Sequence, residues 1–255
     1  MPSAIGPDRS PYFRNGALLL AGLLTAGWGL TLWSITHMDA PLVRLMMPLQ
    51  SAWSAQEVFL VWLMWAVMMG AMMLPSAVPM ILIHRRVAGS RQASKAAATA
   101  SLWFIFAYLM VWSCFSAAAA ASQWGLQSAG LLSPMLVIRE PWLAGCVLIA
   151  AGVVQWTPLK QVCLKKCRTP IGFLITEWRK GRLGALIMGT KHGAYCVGCC
   201  WALMALLFVL GVMNLAAILA LTSIVAIEKL APFGERLGQW SGAGLVAWGI
   251  WLLAF

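Results

Sequence analysis

Nearly uncharged apolar runs of transmembrane length recur along this chain, and they restrict its fold more than any other feature. They lie at roughly 16–36, 58–83, 99–122, 142–159, 190–212, 213–229 and 238–255. About 20 apolar residues, rising 1.5 Å each in a helix, cover a hydrocarbon core some 30 Å thick. In lipid every backbone polar group must be paired within its own segment, which selects the α-helix. The sequence thus predicts an all-α, polytopic membrane helix bundle with seven transmembrane helices, forming a single integral membrane domain over 1–255. The fifth and sixth runs are parted only by Gly211 to Asn214, which reads as a tight helical hairpin. Composition agrees. Hydrophobic residues make up 62% of the chain and charged residues 10%, with a mean hydropathy of +0.83, whereas a soluble domain carries about 25% charged residues.

The first run follows Arg9 and Arg14. It is longer than a signal-peptide core and no small-x-small cleavage site follows, so it reads as a retained signal anchor. Lys and Arg set the orientation. With the N-terminus inside, the inner segments hold sixteen, including Arg85, Arg86, Arg91, Lys95 and eight between Lys160 and Lys191; the outer loops hold only Arg44 and Arg139. Such a bias follows the positive-inside rule and places the N-terminus in the cytoplasm and the C-terminus outside. The net charge of +11 then reflects orientation and contact with lipid headgroups, not nucleic acid. The basic connection 160–190 contains PIGFLITEW, apolar but too short to span, and reads as an interfacial segment.

The most chemically loaded stretch is HGAYCVGCC. As a helix, His192, Cys196, Cys199 and Cys200 fall within an arc of about 100° on one face. Thiolates and imidazole suit copper(I) and zinc, so this face reads as a soft-metal site. Upstream, CLKKC places Cys163 and Cys167 one helical turn apart among Lys165, Lys166 and Arg168. Cationic neighbours favour the thiolate, the form that binds metal or attacks a disulfide. A reducing cytoplasm argues against a structural disulfide. Cys114 and Cys146 stand alone and read as small apolar packing residues.

The second run holds WLMWAVMMGAMMLPSAVPM. Met64, Met68 and Met72 recur at i+4 spacing with Met69 and Met73 beside them. Thioethers bind copper(I), and they also fill gaps in apolar packing; both readings stand for this stripe. Pro75 and Pro79 are expected to kink or end the helix. Glu228 and Lys229 close the sixth run, either as a snorkelling or mutually paired couple or with Glu228 as an accessory carboxylate for a bound cation. Asn214 is placed to cap the same helix. His37, Met38 and Asp39 form a weak metal-capture patch outside.

Four segments together resemble a bacterial domain-of-unknown-function family catalogued as predicted metal-binding integral membrane proteins. They are WAVMMGAMMLPS, QWTPLKQVCLKKCRTPIGFL, GALIMGTKHGAYCVGCCWALM and GVMNLAAILALTSIVAIEKLAP, and they cover most of 58–232. In relatives a tyrosine often precedes the glutamine that is Gln155 here, where this chain has Val154. The resemblance implies a multi-pass protein of the bacterial inner membrane. It carries Cys163, Cys167, His192, Cys196, Cys199 and Cys200 over as motif positions, with Glu228 and Met72 as weaker ones.

These features lead to an expected function in metal handling: copper(I) first, zinc second, bound at the cytoplasmic side and exchanged with a metal-receiving or metal-donating protein, with no catalysis implied. The Cys/His face is its core and Met64, Met68, Met72 and Glu228 its accessory groups. Nothing marks a nucleotide-driven pump. A membrane thiol-disulfide oxidoreductase is the alternative, opposed by thiols on the reducing side. A small-solute permease ranks third, since no internal repeat is visible.

Overall fold

Eleven helices follow one another through the computed structural model, which describes residues 11–50, 52–91 and 93–255. They are α1 (Pro11–Thr36), α2 (Pro41–Met46), α3 (Ala55–Arg91), α4 (Ser94–Ser128), α5 (Pro141–Val154), α6 (Pro158–Arg168), α7 (Pro170–Glu177), α8 (Gly181–Ala205), α9 (Leu207–Leu210), α10 (Leu215–Leu230) and α11 (Gly234–Ala254). No strand occurs among the described residues; Leu132 and Ile138 form an isolated bridge. Arg9 and the Arg14 side chain, both counted among the inner charges, lie outside what is described.

Among the described residues, four helical stretches are long and apolar enough to cross a membrane alone: Leu18–Thr36, Ala55–Arg91, Lys95–Ser128 and Gly181–Leu210. The bent pair α5 and α6, turned by 61° at the break between them, makes a fifth if taken as one span. The remaining two expected crossings differ for physical reasons. Helix α10 has 16 residues, about 24 Å of rise against a core of about 30 Å. Helix α11 opens with GERLGQ, which dilutes its hydropathy. Outward side chains such as Phe106, Met110, Trp240 and Ile250 are exposed and apolar, a surface compatible with a lipid bilayer.

Helix α3 continues through both prolines to Arg91. Side chains supply extra donors there: Tyr108 Oη and Ser76 Oγ both donate to the Met73 carbonyl, at 3.1 and 2.9 Å. Asn214 caps α10 by accepting from the N–H groups of Ala216 and Ala217, just after Gly211 turns the chain at φ +100°. PIGFLITE of that segment folds as α7, burying Phe173 and Leu174 while Ile171 and Ile175 stay exposed.

The core joins α3, α4 and α8, with α10 against α3 and α6 laid along α8. Helix α11 docks on α5 through facing glycines. A Cβ at Gly152 would sit 2.7 Å from the Gly242 carbonyl oxygen, and one at Gly249 would sit 2.7 Å from that of Gly145. Small residues let helix backbones approach this closely in lipid. Gly152→Leu is therefore expected to destabilise the chain by at least the roughly 1–3 kcal/mol of ordinary overpacking. The readout is a lower apparent Tm in detergent. Gly22→Leu, where nothing lies within 4 Å, should leave Tm unchanged; an equal fall for both would contradict the packing argument.

Candidate functional site

The cysteines of HGAYCVGCC lie about four to five turns into α8. Cys196, Cys199 and Cys200 are all buried, as is His192. Their shared helical face turns toward α3, α4, α6 and α10, each of which delivers a side chain to it.

From α3 comes Met73. Its Sδ lies 3.6 Å from Cys200 Sγ, a contact between a thiol and a thioether. From α4 comes Tyr108, whose Oη lies 3.1 Å from Cys196 Sγ. From α10 comes Lys229, whose ammonium donates to Cys196 Sγ at 3.0 Å and to Ser76 Oγ at 3.2 Å. Within α8 the thiols of Cys199 and Cys200 donate back to the Cys196 carbonyl, at 3.2 and 2.9 Å.

Helix α6 brings the second cysteine pair to the first. Cys167 faces Cys199 closely enough for their thiols to interact. Cys163 packs where α8 has Gly198; a Cβ there would stand 2.7 Å from its sulfur. The break that bends α6 away from α5 makes this approach geometrically available. Thr157 accepts from the Lys160 N–H at the start of α6, and Pro158 occupies its first turn. CLKKC and CVGCC, 29 residues apart at their nearest cysteines (Cys196 less Cys167), thus meet at one place.

An ion pair underpins this arrangement. Lys160 Nζ reaches both carboxylate oxygens of Glu228, at 2.7 and 2.8 Å, with side-chain exposures of 2% and 1%. The Gln155 side-chain carbonyl also accepts from Lys160. So Glu228 and Lys229, neighbours in sequence, do not pair with each other. Glu228 holds the cation of α6, and Lys229 faces the thiols. Lys160, which the sequence presents only as one of the inner charges, is buried in the core.

His192, one turn before Cys196, sits in an aromatic cage. Its ring stacks on Tyr108 at 5.7 Å between centroids and meets Phe173 edge-on at 5.7 Å. Its Nδ1 is buried and has no hydrogen-bond partner among the described residues. Met64 and Met68 border a cavity between α1, α2 and α3, while Met72 is buried in the core. Of the methionine stripe, Met73 meets a cysteine thiol, and its place two residues before Pro75 gives no hint of that in the sequence. Tyr108 likewise carries no local motif that marks it, and Lys229 is marked in the sequence only as the neighbour of Glu228.

Among the described residues no three His, Cys, Asp or Glu side chains converge closely enough to hold an ion. The donor set nevertheless fits one soft cation better than a hard one. Its members are thiols plus the Met73 thioether, and thioethers favour copper(I). A lysine ammonium stands ready to balance thiolate charge, which a buried anionic cluster requires.

A family model described as PpoB2, copper chaperone, matches residues 62–252. That match takes in every helix that contributes to the cluster, and the chain belongs to this family. No curated protein and no solved structure matches the chain.

Proposed function

We propose that this member of the copper chaperone family holds copper(I) on its buried sulfur cluster within a bacterial inner membrane and hands the ion to a partner protein. The ligands are drawn from Cys196, Cys199 and Cys200 on α8, Cys163 and Cys167 on α6, and Met73 on α3, with His192 one turn from Cys196. The observation that carries this reading is the convergence of two separate cysteine motifs on one place lined by a thioether and a lysine. A copper(I) ion held by two thiolates has one net negative charge, and the Lys229 ammonium at Cys196 offsets it. The cytoplasmic orientation of the cysteines rests on the Lys and Arg distribution, with seven crossings, the N-terminus inside and the C-terminus outside. α5 with α6 forms the bent fourth crossing, and α10 is a short sixth.

The test is metal content of the protein purified anaerobically in detergent and loaded with copper(I), beside C196S/C199S/C200S. About one tightly held copper per chain, lost in the variant while its Tm holds, is the expected result. Equal copper in both proteins, or none in either, would overturn the reading. Metal-free protein whose cysteines cycle reversibly with a quinone would instead assign thiol-disulfide chemistry.

A further inference from the structure

Several methionines are arranged around a feature apart from the cysteine cluster. Between α1, α2 and α3 lies a cavity of about 210 Å³. Met46, Met64, Met68 and Met213 border it, and they come from α2, α3 and the turn before α10. Methionine ordinarily fills irregular gaps in a core. Here thioethers from three separate segments line a gap and leave it open. Met64 and Met68 are one turn apart on α3, and the same column continues to Met72 in steps of about 6 Å. Met69 and Met73 run beside it, all buried, and Met73 ends against Cys200. A second hollow, next to the first at the end of α2, is bordered by Met38, Met47 and Met135 with Glu57.

We propose that the Met46, Met64, Met68 and Met213 cavity is a second, weaker copper(I) site that supplies the cysteine cluster along the α3 methionine column. The proposal rests on the copper reading above and adds to it a separate site and a direction. Thioethers are neutral, so they coordinate copper(I) without cancelling its charge, whereas thiolates do both. An ion entering at the cavity therefore passes among equivalent thioethers and meets stronger ligands where the column ends at the cysteines, by exchange of one sulfur ligand for the next and with no change of oxidation state. On the proposed topology the cavity opens toward the outer half of the bilayer, so the column leads copper(I) inward to the cluster.

The experiment is an anaerobic copper(I) titration against a competing chelator, on the whole protein in detergent. Wild type is expected to take up two classes of copper(I), one tight and one weak. In M64L/M68L/M213L the tight class stays and the weak class loses at least the roughly 10–100-fold in affinity that even outer-shell changes cause. Leucine conserves volume at these positions, and Tm reports whether the fold is intact. Met46→Leu is the independent single variant, expected to weaken the same class. In C196S/C199S/C200S the tight class disappears and the weak one remains. A single class in wild type, or a weak class untouched by the leucine substitutions, overturns the second site while leaving the cluster reading intact. Loss of neither class in the serine variant sinks the cluster reading instead.

Discussion

Glu228→Leu is expected to cost about 3–5 kcal/mol of stability, because it strands a buried lysine without its counter-charge. The Lys160 ammonium is 2% exposed and touches both oxygens of the Glu228 carboxylate. Its other acceptor, the Gln155 side chain, is neutral. The residual ammonium must then stay charged in a poorly solvated place, drag water inward or lose its proton, and each course is costly. Lys160→Met with Glu228→Leu removes both charges together and should recover most of the loss, since well-packed apolar pairs often equal or exceed buried ion pairs. Unfolding in detergent of the two single variants and the double gives the coupling directly. A double variant as unstable as Glu228→Leu alone would show that the ion pair is not the cause. The pair also fixes α6 to α10, so the single variant should loosen the approach of Cys163 and Cys167 to α8 and lower copper retention with stability.

That pair shows where sequence reading runs out. The all-helical architecture was legible because hydrophobicity sustained over many residues leaves lipid no other solution. The shared face of Cys196, Cys199 and Cys200 was legible because helical spacing is a local property. The partners of that face were not, because each comes from a distant helix: Met73 from α3, Tyr108 from α4, Cys167 from α6 and Lys229 from α10. Lys160 was least visible of all. It begins a basic stretch in which Lys165, Lys166 and Arg168 stay at least partly exposed, and only the bend after Gln155 turns it into the core. Glu228 and Lys229 were legible as unusual charges near a helix end, yet consecutive residues on a helix point about 100° apart. That rotation sends one to α6 and the other to the thiols. His192 shares the cysteine face by spacing, but the aromatic rings of Tyr108 and Phe173 enclose it, and no periodicity announces such a cage.

Gly198→Ala is expected to reduce copper(I) affinity by roughly 10–100-fold although it removes no ligand, an effect of the size seen when a supporting contact of a metal site is lost. The added methyl would stand 2.7 Å from Cys163 Sγ, well inside ordinary contact. Something must shift. The neighbour is a short side chain on a helix held at its start by Lys160 and at its end by Arg168, which donates to the carbonyls of Ala231 and Pro232. Relief therefore comes from moving α6 as a body, and Cys167 leaves Cys199 when it moves. Cys163→Ala takes away the sulfur that the methyl strikes. In that background Gly198→Ala should be nearly silent, so the two substitutions are strongly non-additive. Chelator competition on the four proteins measures this coupling, with circular dichroism to confirm equal helix content. If Gly198→Ala weakens copper as much in the Cys163→Ala background as in wild type, the contact between α6 and α8 does not set the affinity. The binding unit would then be the α8 cysteines with Met73. If the coupling is found, the joining of CLKKC to CVGCC is itself what makes the site.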